Sequence, residues 1–293
     1  MDIGTIGIWT NKLEFLPAAQ AQELARELEA LGYGALWFPE TLGREALTQA
    51  ALLLAATQRM TIATGIANIW ARDAVAMANA QRTLTEAYPD RFLLGLGVSH
   101  APTVEQVRGH RYRRPVAYMR AYLEAMDRAP FTAVPPRTAP RRVLAALGPK
   151  MLALAAERAW GAHPYFVPVA HTAQARQLLG PAPLLAPEQA IVLETEPSRA
   201  REVARQHTAR YLRLPNYVNN LRRLGFTEED LTDGGSDRLV DAIVAWGDLD
   251  TVVRRIREHL AAGANHVCIQ VLTAEPATIP REQWRELAAA LLH

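Results

Sequence analysis

Short apolar runs alternate with longer amphipathic stretches along the 293-residue chain. The short runs are rich in β-branched residues, which favours buried strands. Between them apolar residues recur at helical spacing, as at Ala21, Leu24 and Leu28, which indicates helices with one buried face. The predicted strands are Ile3–Trp9, Ala35–Phe38, Met60–Ile66, Phe92–Val98, Arg142–Leu147, Ala162–Phe166, Pro187–Leu193 and Asn265–Val271.

This alternation of eight buried strands with helices predicts an α/β fold. Such strands form a parallel sheet covered on both faces, and eight units favour closure into a TIM-type (β/α)8 barrel. A doubly wound open sheet is the alternative. The polar, turn-rich segment 215–235 interrupts the pattern and is interpreted as an insertion with short helices, and a helix capped by Ser236 is predicted over 239–246. No change in composition marks a second domain, so residues 1–293 are expected to form one barrel domain.

The overall composition narrows the class of function. A net charge of +2 gives no reason to expect binding to nucleic acid or to an anionic membrane. The single cysteine, Cys268, excludes an intrachain disulfide. No apolar run reaches about 18 residues, and the N-terminal residues do not resemble a secretory signal. A cytoplasmic protein is therefore expected.

Candidate chemistry collects where the predicted strands end, because a barrel builds its active site from the loops there. Glu40 and His100 each follow an apolar strand and are candidates for proton transfer, although a single histidine is more often structural. Gly65 ends the third strand. It either turns the chain or lets a flat ligand approach the backbone.

A second candidate is the start of the helix at Gly148-Pro149-Lys150. Free backbone N–H groups, the positive helix end and a lysine would together bind an anion, and an ordinary helix start is the alternative. The glycines of Gly95-Leu-Gly97 do not complete a dinucleotide fingerprint, because His100 replaces the third one. The histidine spacings do not predict a zinc site, and no nucleophile elbow or Walker loop is present. A cofactor-dependent barrel is the remaining interpretation.

Four segments resemble the bacterial-luciferase-like monooxygenase superfamily, in its branch of coenzyme F420-dependent oxidoreductases. They are Thr64–Asp73, Arg91–His100, Ala146–Leu152 and Ser236–Gly247. The resemblance implies a homodimeric enzyme that transfers a hydride between the deazaflavin F420 and a small organic substrate. Two alternatives stay open: an FMN-dependent monooxygenase that uses reduced flavin and O₂, and a barrel that binds a ligand without redox chemistry.

The resemblance also implies roles for particular residues. The cofactor ring would rest on a bulge with a cis peptide at Gly65–Ile66, and His100 or Glu40 would exchange a proton with the substrate. Relatives commonly have Ala-Asp-Gly where this chain has Ala159-Trp160-Gly161, so charge or packing near the cofactor tail is expected to differ. Trp9, Trp70, Asn216 and Tyr217 would face the substrate. The implied cofactor contacts are Gly65, Ile66, Ala67, Asn68, Ser99, His100, Gly148, Pro149, Lys150 and Met151.

Overall fold

Eleven parallel strands form the centre of the molecule in the computed structural model, which describes residues 1–292. Each of the eight predicted strands overlaps an observed one, although the strand predicted over Ala162–Phe166 shares only Ala162 with β7, and three further short strands are present. The strands are β1 (Ile6–Trp9), β2 (Ala35–Phe38), β3 (Thr61–Thr64), β4 (Ala67–Asn68), β5 (Phe92–Gly97), β6 (Arg141–Leu144), β7 (Gly161–Ala162), β8 (Leu184–Leu185), β9 (Glu188–Leu193), β10 (Val244–Gly247) and β11 (Val267–Val271).

The sheet closes on itself through the segment that contains β8 and β9. β8 pairs with β7, and the Glu188 N–H continues that ladder to the Pro164 carbonyl at 2.9 Å. On the other side β9 pairs with β11, which pairs with β1. From β1 the order runs through β2, β3, β5 and β6 back to β7. The predicted TIM-type barrel is therefore confirmed.

Helices surround the barrel and bury their apolar faces against it. The largest cluster of buried side chains lies between strands and helices, where Leu24 and Leu28 pack as their spacing predicts. The helices are α1 (Ala18–Ala30), α2 (Ala46–Ala56), α3 (Ala74–Ala87), α4 (Pro115–Arg128), α5 (Pro149–Arg158), α6 (Val169–Leu179), α7 (Pro197–Tyr211), α8 (Pro215–Arg223), α9 (Asp237–Ile243), α10 (Leu249–Ala261) and α11 (Arg281–Leu291).

Two predicted elements need correction. The third strand ends at Thr64 rather than Ile66, and the chain resumes as the separate strand β4 beside β5. The helix predicted over 239–246 is wrong in its second half, because α9 ends at Ile243 and Val244–Gly247 forms β10 along β9. The segment 215–235 carries α8 and a short 3₁₀ turn, Glu229–Leu231.

Candidate cofactor and active site

The break between β3 and β4 shapes the back wall of the site. The Gly65–Ile66 peptide bond is cis, as predicted from the resemblance. The Ile66 side chain lies over β5 at Gly97, where an added Cβ would come within 2.4 Å of Ile66 Cδ1. Glycine at position 97 is therefore required for Ile66 to reach this place. Thr64 fixes the strand beside it, because its hydroxyl donates to the Gly95 carbonyl at 2.8 Å.

Gly65 itself is explained by close packing rather than by a turn. A Cβ at this position would lie 2.6 Å from Trp9 Nε1 and 3.0 Å from His163 Nε2. The indole of Trp9 also donates a hydrogen bond to the Gly65 carbonyl at 3.0 Å. Two buried side chains of the barrel interior therefore leave no room for a larger residue here.

In front of Ile66 lies a cavity of about 490 Å³ at the carboxyl ends of the strands. It is bounded by the bulge, the loop after β5, the start of α5 and the inserted helix α8. Nine of the predicted site residues line it: Ile66, Ser99, His100, Gly148, Pro149, Lys150, Met151, Asn216 and Tyr217. These residues come from four separate stretches of sequence, so folding brings most of the predicted cofactor and substrate residues to one place.

One end of the cavity carries positive charge. Gly148 is the extended N-cap of α5 and has no side-chain cap. Pro149 has no N–H and the Met151 N–H donates to the Gly148 carbonyl at 3.1 Å, so the Lys150 N–H is the donor of the first turn that has no acceptor within the helix. Lys150 is exposed in the first turn, and Arg223 of α8 approaches from the other side. A Cβ on Gly148 would lie 3.3 Å from Arg223 Nη2. Arg223 was not predicted, because only the placement of α8 brings it here.

His100 and Asn216 are joined across the cavity although 116 residues separate them. His100 Nδ1 lies 3.1 Å from Asn216 Oδ1, and the Tyr217 ring lies 5.6 Å from the imidazole. The amide oxygen only accepts, so Nδ1–H donates and Nε2 of the neutral ring keeps its lone pair. Burial lowers the pKa of His100, and the hydrogen bond to Asn216 opposes this shift. The imidazole is therefore mainly neutral at pH 7 and able to accept a proton at Nε2.

Two further residues in the cavity follow β7, His163 and Tyr165. His163 stacks on Trp37 at 4.5 Å, and its Nδ1 lies 2.7 Å from the Ala186 carbonyl. Its Nε2 is buried without a protein partner, and burial lowers the pKa of His163 to about 4. Their position after a strand was a usable signal, but nothing in the sequence separates them from residues that follow other strands.

Glu40 and Trp70 line a different, neighbouring cavity of about 1060 Å³. Arg72 binds both carboxylate oxygens of Glu40, whose side chain is only 4% exposed, and the Asn68 N–H donates to it at 2.7 Å. Trp70 stacks on Tyr118 at 3.9 Å. The structure therefore does not bring Glu40 to the cavity of His100, and its catalytic role stays a prediction.

The remaining predicted contacts lie behind the cavity wall. Ala67 and Asn68 pair with β5, and the Asn68 amide oxygen accepts from the Trp70 N–H at 2.9 Å. Trp9 is buried and tilts against Tyr165 with ring centroids 5.0 Å apart. With Gly65, these residues support Ile66 and Tyr165 rather than line the cavity.

Trp160 lies at the opposite end of α5 from Gly148. It directly precedes β7, and the Arg141 guanidinium lies over its ring at 5.3 Å. Trp160 thus lies a full helix length from Gly148, and the expectation that this replacement alters charge or packing at the cofactor tail stays a prediction.

Neither a metal centre nor a membrane-spanning helix is found in residues 1–292. This part of the chain contains no group of three or more histidine, cysteine or carboxylate side chains arranged to hold a metal ion. Nor does it contain a helix with the length and apolarity needed to cross a membrane. The homodimer and the cytoplasmic location stay predictions.

The sequence matches known proteins over nearly its whole length. The profile of the luciferase-like monooxygenase family matches residues 4–266. A Mycobacterium tuberculosis (strain H37Rv) protein that carries the provisional name of a coenzyme F420-dependent oxidoreductase is 28% identical, and the alignment covers 97% of this chain and 96% of that protein.

Solved structures with the same fold include enzymes of both cofactor types. An F420-dependent secondary alcohol dehydrogenase, in complex with an F420–acetone adduct, gives a TM-score of 0.77 at 15% identity and covers 98% of this chain and 99% of its own. The F420-dependent tetrahydromethanopterin reductase of Methanopyrus kandleri gives 0.76 at 18% identity, with 98% and 97% covered. The oxygenating constituent of 3,6-diketocamphane monooxygenase of Pseudomonas putida, a type II Baeyer–Villiger monooxygenase in complex with FMN, gives 0.73 at 15% identity, with 98% and 96% covered. At these identities the likeness shows the fold alone.

Proposed function

Because the chain belongs to the luciferase-like monooxygenase family, whose profile spans residues 4–266, we propose that this oxidoreductase uses coenzyme F420. The observation that carries the proposal is the charge distribution of the 490 Å³ cavity. Among its lining residues the only ionic side chains are the cations Lys150, in the first turn of α5, and Arg223 of α8, which lies beside Gly148. The opposite part is apolar and includes Ile66, Val98 and Ala145.

These residues fit a flat heterocycle with an anionic tail. Ile66 and the end of β5 would support the ring, while the backbone N–H and the ammonium group of Lys150, with Arg223, would hold the phosphate. When bound, F420 supplies a two-electron carrier that gives or takes a hydride. The provisional name of the Mycobacterium tuberculosis relative supports this cofactor over FMN.

The proton that accompanies the hydride is assigned to His100. His100 lines the cavity, and its Nε2 keeps an acceptor lone pair because Nδ1–H donates to Asn216. A base within the cavity would remove a hydroxyl proton from an alcohol substrate, and in the reverse direction the imidazolium would return it. The substrate is thus proposed to be a small organic molecule seated between His100, Asn216 and Tyr217.

FMN remains the second candidate cofactor, since the 3,6-diketocamphane monooxygenase structure shares the fold with FMN bound. The residues that would hold a phosphate and a flat ring serve either molecule. An FMN-dependent enzyme would consume O₂ with reduced flavin, and an F420-dependent one would not require it.

The test is a titration of the apo protein with F420 and with FMN, followed by tryptophan fluorescence. We expect F420 to bind more tightly than FMN, and Lys150→Ala to weaken F420 binding about tenfold by removing a charge-assisted contact. Arg285→Ala removes one positive charge from an exposed position on α11 and should leave the affinity unchanged. Binding of FMN but not of F420 would replace the F420 assignment by the flavin one.

A further inference from the structure

Besides the 490 Å³ cavity of His100 (the first cavity), a smaller one of about 310 Å³ (the second cavity) opens at the same end of the barrel. The segments after β1 and β11 form two of its sides. The third is one face of α7, which presents Val203, Gln206, His207 and Arg210 at helical spacings of three, four and seven residues. None of these residues was predicted from the sequence to belong to a site.

The second cavity is cationic and lacks an internal counter-ion. Lys12 and Arg210 line it together with amides, hydroxyls and apolar groups, and no aspartate or glutamate is among its lining residues. Lys12 is only 8% exposed, and its ammonium donates to the Pro276 carbonyl. Within residues 1–292 neither cation forms an ion pair with a carboxylate.

A buried ammonium without a counter-ion is costly. Burial and the nearby charge of Arg210 both lower the pKa of Lys12, which means that these surroundings disfavour its charged form. An anion placed between Lys12 and Arg210 would offset both effects by its attraction to the two cations. His207 adds a buried Nε2 that has no protein partner. The cavity thus offers donors and charge that the protein itself does not neutralise.

A hydrogen bond between two side chains links the walls of the two cavities. Tyr165 lines the first cavity, and its hydroxyl donates to Gln270 Oε1 at 2.8 Å, while Gln270 lines the second cavity. The Tyr165 hydroxyl also lies 2.8 Å from that of Tyr211 on α7. Tyr165 and Gln270 thus form a wall shared by the two cavities, and a molecule that reaches from Lys12 toward His100 has to pass this pair.

We propose that the second cavity binds an anionic group of the substrate, a carboxylate or phosphate carried on a partly apolar molecule. This rests on the proposed function for the meaning of "substrate", although the anion site itself does not require F420. The substrate class is thus an organic anion whose reacting carbon lies several bonds away from its charge.

The test uses the apo full-length protein at low ionic strength, with sodium hexanoate and inorganic phosphate as separate probes in calorimetric titrations. Binding of either probe is expected, and Lys12→Met should weaken it about tenfold or more because one charge-assisted contact is lost. Lys12→Arg, which keeps the charge, should retain most of the affinity. Arg213→Gln, an exposed position just beyond α7, is the matched control and should bind as the wild type does.

Three outcomes would overturn the proposal: no binding of either probe, equal binding by Lys12→Met and wild type, or loss of binding in Lys150→Ala instead. The last would place the anion at the start of α5. A fall in the stability of Lys12→Met without a change in affinity would assign Lys12 to structure only. F420 affinity, measured on the same variants, should not depend on Lys12, so that failure of the cofactor assignment and failure of the anion site give different results.

Discussion

Glu188 is a buried carboxyl group inside the barrel. It is 1% exposed, its Oε2 accepts the Phe166 N–H at 3.1 Å, and its Oε1 has no protein partner. Burial raises the pKa of Glu188 to about 8, so the group stays protonated at pH 7 in the folded protein. Between about pH 4.5 and 8 the unfolded chain has lost this proton and the folded chain has kept it. Stability must therefore fall as the pH rises through this range.

Glu188→Gln should remove this dependence, because glutamine is neutral at every pH and can still accept from Phe166. The variant should gain stability relative to wild type as the pH rises from 5 to 8, by up to about 1.4 kcal/mol per pH unit. Urea denaturation across this range measures the difference. Glu202→Gln, at an exposed position of α7, is the control. Parallel curves for Glu188→Gln and wild type would show that Glu188 is ionised in the folded state.

At the scale of elements, α8 completes the 490 Å³ cavity. It supplies Asn216, Tyr217, Asn219 and Arg223, and only Asn216 among them bonds to His100. Because this hydrogen bond raises the pKa of His100 against the effect of burial, Asn216→Leu should lower that pKa further. Asn216→Asp should raise it, since a carboxylate favours the imidazolium.

Histidine-ring NMR measures the change directly, with His100→Gln used to assign the resonance. Asn219→Leu is the matched control, because Asn219 lines the same cavity without bonding to His100. A merely structural role for Asn216 would change stability but leave the His100 titration where it was. His100 titration curves equal to that of the wild type in Asn216→Leu and Asn216→Asp would therefore refute a positioning role for α8.

Strands were predictable where local pattern and tertiary need agree, and less so where they conflict. Most of the predicted strands exist because their apolar runs are buried on both faces, as in β1, β2 and β5. The end of α9 was missed since Val244 fits a helical pattern as well as a strand. Val244 becomes a strand residue because β9 would otherwise have an unpaired edge there. β7 ends at Ala162, and Val244 pairs with Ala190 along the edge that β7 leaves open. No local signal carries that information.

The site shows the same division between local and long-range information. Strand ends and the helix start at Gly148 gave His100 and Lys150, because position after a strand suffices to place them at the rim. Glu40 also follows a strand, but its salt bridge to Arg72 holds its carboxylate in the neighbouring 1060 Å³ cavity. Arg223 and Lys12 were missed because their importance depends on which charges they meet after folding.

At the scale of the whole molecule, buried neutral histidines connect the barrel strands. His266 Nδ1 lies 2.8 Å from the Gly4 carbonyl and His266 Nε2 accepts from Trp37 Nε1 at 3.1 Å, which joins β11 to the segment before β1 and to β2. His259 lies between Thr172 and Gln189, at 2.8 Å from each. A second proton on His266 would remove the acceptor of the Trp37 N–H, so its two bonds require the neutral form. Both rings are kept neutral by burial, which lowers the pKa of each.

The protein should therefore lose stability steeply in mild acid. Burial lowers the pKa of His163 and His266 to about 4 and that of His207 and His259 to about 3, against about 6.5 in an unfolded chain. Below pH 6.5 the unfolded state binds protons on these histidines and the folded state does not. Each such proton lowers the free energy of unfolding by up to about 1.4 kcal/mol for every pH unit of acidification. Glu188 opposes them with one proton, so the slope reverses above pH 6.5 and the maximum of stability should lie near neutrality.

Urea denaturation at constant ionic strength from pH 5 to 6.5 gives the number of protons taken up on unfolding, expected to be two or more. His110→Gln at an exposed loop position should leave this number unchanged. An uptake below one proton would mean that these histidines become charged within the folded barrel, and the bonds of His266 to Gly4 and Trp37 could then not both persist.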